Sequence, residues 1–234
     1  MTGGSTGNRL LDAFPDEVRF KLIAEMRLIP MEQHQVLFEP GASIESVYFP
    51  LDGMISSVTQ MQDGSGVETA TTGIEGMVSI AASLSAHPIA QAWTVCQIRG
   101  DTMVASADSL RRLTHSPGRT RDLLGAYAET LLAQAAQSIA CNALHSIPQR
   151  LARRLLETHD RVGSDEFSLT QEFLAQMLGT RRASVSEAAG DLQEEGLIRY
   201  QRGHITLMDR KAMQRASCEC YEAIVGAYNR MVPV

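Results

Sequence analysis

From residue 10 to residue 26 apolar side chains recur at helical spacing. Leu11, Phe14, Val18 and Leu22 fall on one side and Pro15 lies inside the first turns, which predicts one or two short helices. At Gln35 the period changes to that of strands. Alternating segments at 35–38, 46–50, 54–61, 66–72, 90–98 and 101–107 are separated by Pro40-Gly41, Leu51-Asp52-Gly53 and Asp63-Gly64, the last a strong hairpin signal. Short strands at such regular spacing predict an antiparallel sandwich or jelly roll. Helical spacing returns at 107–113. It then holds from about Arg119 to Leu144, a rod of ~39 Å at ~1.5 Å per residue. Along that rod Leu124, Ala128, Leu131, Ala135, Ser138 and Asn142 follow each other by fours and threes. This is a coiled-coil-like seam with small residues that let two backbones approach, and it predicts a homodimer. Ser146 and Pro148 mark a fresh helix start, and 149–157 carries the chain into a second domain.

The stretch from Leu169 to Leu207 is the most specific. Two short amphipathic patterns flank a turn at Gly179-Thr180 and are followed by an alternating hairpin around Arg202-Gly203. That order predicts a winged helix-turn-helix, which places its second helix in the major groove of DNA. In the first helix, 171–178, Phe173, Leu174, Met177 and Leu178 point inward. Ser168 and Thr170 are both candidate caps, since Ser168-x-x-Gln171 also fits a capping box. A capped start leaves N–H groups near Thr170 and Gln171 for a phosphate oxygen. In the second helix, starting near Ala183, Val185, Ala188, Ala189 and Leu192 form the core face. Ala183, Ser186, Glu187 and Gly190 lie opposite, with Arg182 at the leading edge. Arg182, Ser186 and Glu187 are the expected base-edge contacts, because arginine pairs bidentately with guanine and glutamate accepts from cytosine. Arg181 and Ser184 complete the candidate DNA-binding set on this helix. Segments 197–200 and 204–207 form the wing, with Arg202 and His204 expected on the phosphate backbone.

Charge refines this picture. The net charge is −6, but the acidic surplus lies in residues 1–146, whereas residues 147–215 carry one more base than acid. A few placed arginines, rather than a broad basic field, must therefore do the docking. Cys96, Cys141, Cys218 and Cys220 show neither CxxC nor Cys/His metal spacing. Cys218 and Cys220, two apart on an expected helix, would point about 200° away from each other. The reading is therefore of reduced thiols, with no metal and no cofactor; redox sensing through Cys96 or Cys141 is an open alternative. The opening MTGGSTGNRLLDAF lacks a basic region followed by an apolar core, so it is not read as a signal peptide. Residues 76–98 carry no Asp, Glu, Lys or Arg but are broken by serines, His87, Pro88 and Gln91, too polar for a membrane span. The expected location is the cytoplasm.

Taken together, these residues resemble the Crp/Fnr family of bacterial transcription regulators. LFEPGASIESVYFPLDGMIS is similar to the start of that family's β-roll, and LAQMLGTRRASVSEAAGDLQEEGLIRYQRGHITLMDR to its winged reader. The resemblance implies an α+β chain in three parts: a β-roll sensor over 1–118, a dimerisation helix over 119–146, and a winged helix-turn-helix with a C-terminal helix over 147–234. It implies that Arg182 stands at the guanine-reading position. Ala183 stands where many members carry a base-reading glutamate, and Glu187 where many carry arginine. Members that bind cyclic nucleotides have an early Gly-Glu and a late Arg-Ser/Thr-Ala in a phosphate cassette. The matching segments here are Gly76-Met77 and Ala90-Gln91-Ala92, without the ribose-binding glutamate and the phosphate-binding arginine. A buried phosphate without a cation is costly, so cyclic AMP is not expected as the effector, and Gly76, Met77 and Gln91 mark the candidate region for an unidentified one. The cysteine cluster of iron–sulfur members is also absent. The expectation is a non-enzymatic, homodimeric regulator whose partners are double-stranded DNA, a second copy of itself and RNA polymerase. Its rivals are a protein-interaction module of the same architecture and a cupin-type jelly-roll enzyme, although no HxH stands in the β region.

Overall fold

The computed structural model describes residues 4–232. Asn8 opens it: its side-chain oxygen accepts from the Leu11 N–H at 3.0 Å, while its amide donates to the carbonyls of Pro50 and Gly76. One buried asparagine thus caps helix α1 (Arg9–Asp12) and ties it to the β layers. Helix α2 (Asp16–Ala24) follows and seats Leu22 beside Leu10, Leu11 and Phe14 in the core. Strands β1 (Arg27–Met31), β2 (Val36–Phe38), β3 (Ser46–Pro50), β4 (Met54–Gln60) and β5 (Gly66–Thr72) come next. The short helix α3 (Ala81–Leu84) precedes β6 (Trp93–Ile98) and β7 (Gly100–Ser106). They form two antiparallel sheets, ordered β1-β7-β3 and β2-β6-β4-β5, whose facing side chains, among them Val47, Phe49, Ile55 and Cys96, make the roll's core. Strand β1 escapes the sequence pattern because it is an edge strand carrying Pro30, with only Met31 buried.

Ser106 caps helix α4 (Ala107–Thr114), its hydroxyl accepting from the Ser109 N–H at 2.9 Å. Helix α5 (Arg119–Leu144) then spans the predicted length and drives Leu124 and Tyr127 into the roll. That placement moves the open stripe away from the expected seam. Leu124 is only 2% exposed and Ser138 is buried, Leu131 packs partly against the roll, and Ala128 and Ala135 are half-buried. One residue further round, Leu132 and Ile139 are each 72% exposed, with Gly125, Ala136 and Ala143 along the same line. The four-three spacing is present in both registers, and only packing against the roll tells them apart.

Helix α6 (Ile147–Val162) begins at Ser146, whose N–H donates to the Gln149 side chain at 3.1 Å. Strand β8 (Glu166–Ser168), helices α7 (Gln171–Leu178) and α8 (Arg182–Glu194), strands β9 (Ile198–Gln201) and β10 (His204–Leu207), and helices α9 (Arg210–Ala216) and α10 (Cys220–Met231) complete the chain. The reader's core gathers Leu155, Leu174, Met177, Val185, Ala188, Leu192 and Ile205. It also takes in Met54 and Ile98 from the roll. Helix α10 turns back along α5, placing Tyr221 in the reader's core and Ile224 and Tyr228 in the roll's. The two halves therefore share side chains as well as a connecting helix.

Between them lies a buried ionic network. Arg153 reaches Glu157 at 2.6 Å and Arg161 reaches Glu75 at 2.8 Å, while Arg154 lies 3.1 Å from Glu68 of β5. Burial works to raise the Glu157 carboxyl, but Arg153, Arg154 and Arg161 outweigh it and hold the group at about 2. Glu68 goes the other way, because burial outweighs Arg154 and raises its carboxyl. Helix α6 thus carries the arginines, and the roll supplies two of the three acids that neutralise them.

Candidate nucleic-acid interface

The choice of cap for α7 falls to Thr170, whose hydroxyl accepts from the Phe173 N–H at 3.2 Å. Ser168 lies in β8 and hydrogen-bonds His204 Nδ1 at 3.0 Å instead. The helix ends at Gly179 in the left-handed conformation, and buried Arg150 donates to the Leu178 carbonyl, so both ends of α7 are satisfied. The turn Gly179-Thr180 delivers Arg181 and Arg182 to the start of α8.

On α8 the inward face is Val185, Ala188, Ala189 and Leu192, all buried. Arg181, Arg182, Ala183, Ser186 and Glu187 are exposed and Ser184 is half-buried, as the 3.6-residue period requires. The Arg182 Nε donates to Gln171 Oε1 at 3.2 Å, which couples the two helices of the motif and aims the guanidinium. Ser186 spends its hydroxyl on the Arg182 carbonyl at 3.1 Å. Charge along the outer face is polar in the literal sense: two arginines at the leading end, then Glu187, Asp191 and Glu194 behind. With the partial positive charge of the helix N-terminus, only the leading end favours a polyanion. Among the described residues, a side-chain carbon built at Gly190 would meet nothing within 4 Å beyond its chain neighbours and its own helix backbone, so packing against other elements does not demand that glycine.

The wing strands β9 and β10 pair His204 with Gln201, and β8 adds a third strand on the far side of β10. The two-residue turn puts Arg202 at φ 51° and Gly203 at φ 81°, the positive pair that a tight hairpin of the right twist needs. A non-glycine residue there costs on the order of 1 kcal/mol, so the arginine at the tip is held against local preference. Arg202 and His204 line a cleft together with Arg99 and Arg199. The sequence reading missed the last two. Arg199 stands one residue before Tyr200 in a strand read only for its apolar alternation, and Arg99 comes from the β6–β7 turn of the roll.

In the candidate effector region the Gly76-Met77 backbone is covered by a side chain of the long helix. Tyr127 of α5 is fully buried against it, its hydroxyl accepting from the Met77 N–H at 3.0 Å and donating to the Met77 carbonyl at 2.8 Å. A side-chain carbon at Gly76 would stand 2.3 Å from that hydroxyl, so glycine is what lets the tyrosine in. Gln91 is exposed and bonds its own loop at Ile89, away from this contact. Cys96 lies in the roll's core, where burial and then Glu32 push the thiol up to about 11, an unreactive state.

The cysteine spacing misled. Cys218 precedes α10 in a non-helical turn, so the 200° argument fails, and packing of α10 on α5 brings Cys218 and Cys220 to Cys141 and His145. Ligand-type atoms of these four residues all lie within 4.8 Å of one another.

Residues 149–216 match the Crp-like helix-turn-helix domain family. Over 203 residues the chain is 23% identical to a CRP-like cAMP-activated global transcriptional regulator of Mycobacterium tuberculosis, spanning 83% of this chain and 89% of the relative. Among solved structures, FixK2 from Bradyrhizobium japonicum superposes with a TM-score of 0.70 at 17% identity, covering 82% of this chain and 98% of that one. A CRP/FNR-family transcriptional regulator of Thermus thermophilus superposes with a TM-score of 0.63 at 21% identity, covering 82% and 98%. The chain thus carries a Crp-like helix-turn-helix DNA-binding domain, is similar over most of its length to a CRP-like transcription regulator, and shares the fold of Crp/Fnr-family regulators: a β-roll joined by a long helix to a winged helix-turn-helix. Among the described residues no helix is long and apolar enough to cross a membrane.

Proposed function

We propose that the protein is a cytoplasmic homodimer that binds an inverted-repeat operator, one α8 helix in each of two successive major grooves, and there acts on RNA polymerase. The supporting observation is the division of labour on α8: one face is wholly buried, while the other presents an arginine pair at its leading end. In this reading Arg182 pairs with guanine, aimed by Gln171, and Ser186 and Glu187 lie against neighbouring base edges. Thr170, Arg181 and Ser184 border the backbone at the helix starts, and Arg202 and His204 take phosphates from the wing. Arg99 and Arg199 extend that phosphate track.

Dimer symmetry fixes the expected operator. Selection from random duplexes by the full-length protein should enrich an inverted repeat with half-site centres about one helical turn apart. A pool that shows no enrichment would favour the protein-interaction reading of the same architecture. Cyclic AMP, which activates the mycobacterial relative by its name, is not the effector in this proposal. Tyr127 occupies the position against Gly76-Met77, and neither Met77 nor Gln91 supplies a charge for a phosphate. Calorimetry should give no saturable heat with cyclic AMP; micromolar binding would reverse this part of the proposal.

A further inference from the structure

We propose that Cys141, His145, Cys218 and Cys220 form a structural zinc site that clamps the C-terminal helix to the hinge between the long helix and the reader. The four residues come from two places far apart in sequence. Cys141 lies in the last turn of α5 and His145 is its C-cap, its N–H donating to the Cys141 carbonyl at 3.1 Å, while Cys218 and Cys220 lie just before and at the start of α10. Among the described residues they are the one group of histidine, cysteine and acidic side chains placed to hold a metal.

The geometry suits zinc. A tetrahedral ion with sulfur ligands at about 2.3 Å sets neighbouring ligand atoms about 3.8 Å apart. Here Cys141 Sγ and Cys218 Sγ are 3.5 Å apart, and Cys220 Sγ is 3.5 Å from His145 Nδ1. All the ligand atoms fit within 4.8 Å, the compactness of a single ion rather than of a multi-iron cluster held between its sulfurs. Three of the four residues are buried and the fourth half-buried, which makes a closed, four-coordinate site with no position for substrate.

The surroundings fit as well. With Nδ1 turned to the ion, His145 Nε2 lies 3.2 Å from the Glu219 carboxylate, the outer partner that fixes a ligating imidazole's tautomer and orientation. Gln137 donates to Cys220 Sγ at 3.0 Å. Cys220 also begins a twelve-residue helix, where the backbone dipole favours a thiolate. Three thiolates and a neutral histidine around a divalent ion leave one net negative charge. Arg150 and Arg153 on α6 interact with Cys141 and Cys218 and can offset it. Arg153 Nε and Nη2 and Arg150 Nε are buried without a hydrogen-bond partner, the kind of donors that thiolate sulfur accepts. Loading the site displaces three thiol protons to solvent and needs no oxidant or reductant.

The consequence is mechanical. The site joins the end of α5 to the start of α10 at the point where the roll's long helix hands over to the reader, so metal occupancy sets how firmly the reader is held. This inference stands apart from the choice of operator and effector. The test is elemental analysis of full-length protein purified without chelator, followed by exchange of the metal-free, reduced protein with cobalt(II). About one zinc per chain is expected, with a tetrahedral thiolate–cobalt spectrum and a lower melting temperature after metal removal. Cys141→Ser and Cys220→Ser should each lose the spectrum, while Cys96→Ser, in the roll's core, should keep it. Should the site variants fail to fold, thiol labelling of the native protein decides the matter: zinc should slow labelling of three cysteines and chelation should release them together. Protein that is metal-free and gives no cobalt spectrum, a bound iron–sulfur chromophore, or a Cys141–Cys218 disulfide in the native protein would each overturn the assignment.

Discussion

Leu132→Glu combined with Ile139→Glu should yield a monomer that no longer holds an inverted repeat. In a single chain these two side chains are each 72% exposed, seven residues apart, on the stripe shared with Gly125, Ala136 and Ala143. Aliphatic side chains contribute about 1.5–3 kcal/mol each when fully buried. Four of them meeting across a two-fold axis would supply much of the free energy of a helix pair, and small neighbours let the backbones come close. The double variant replaces that contact with like charges facing each other, at an apolar seam that cannot solvate them. Light scattering should report half the wild-type mass, and operator affinity should collapse because each chain then holds one half-site alone. Leu131→Glu is the contrasting variant. Leu131 packs on the roll of its own chain, so its first effect should be on thermal stability. An unchanged dimer mass for the double variant would place the interface elsewhere.

Glu157→Gln should cost about 3–5 kcal/mol of stability, as removal of one partner from a buried ion pair does. Arg153, Arg154 and Arg161 surround this carboxylate, and all four side chains are almost wholly buried. The amide keeps the shape but leaves the three guanidinium groups with Glu68 and Glu75 as their only acidic neighbours in the network. The pH dependence has a definite sign. The Glu157 carboxyl is held at about 2, against the ordinary 4.5. Its contribution is therefore complete above 4.5 and is lost as pH falls towards 2. Urea unfolding of both proteins should show a large gap at pH 7 that narrows between pH 4.5 and 2. A gap that stays constant across that range would mean that Glu157 acts by shape and not by charge.

Much of the fold was legible in the sequence because its elements obey their periods. Strands at 46–50 and 66–72, the long helix at 119–144 and the first reader helix at 171–178 lie where alternation or helical spacing puts them. The outer face of α8 was equally legible, since burying Val185, Ala188 and Leu192 leaves Arg182, Ser186 and Glu187 no other direction. What escaped depends on tertiary packing. Strand β1 has little buried apolar surface, so its alternation carries almost no signal. The two registers of the α5 stripe differ by one residue, and only the docked roll shows that Leu124 is taken and Leu132 is free. The Cys/His cluster joins positions 141 and 218, and no local spacing foretells that α10 returns along α5. The ionic network on α6 was hidden for the same reason, because two of its three acids, Glu68 and Glu75, come from a strand and a turn of the other half.

The most direct test of base reading by α8 is the affinity of wild type, Arg182→Ala and Arg202→Ala for the selected operator and its single-base variants at several salt concentrations. Arg182→Ala should lose about 1–3 kcal/mol on the best operator and flatten the preference at one position in each half-site. Arg202→Ala should weaken every sequence alike and lower the salt slope by about one, as the loss of a phosphate contact does. Equal losses for Arg182→Ala on matched and mismatched DNA would contradict base reading by this arginine and leave it a backbone contact.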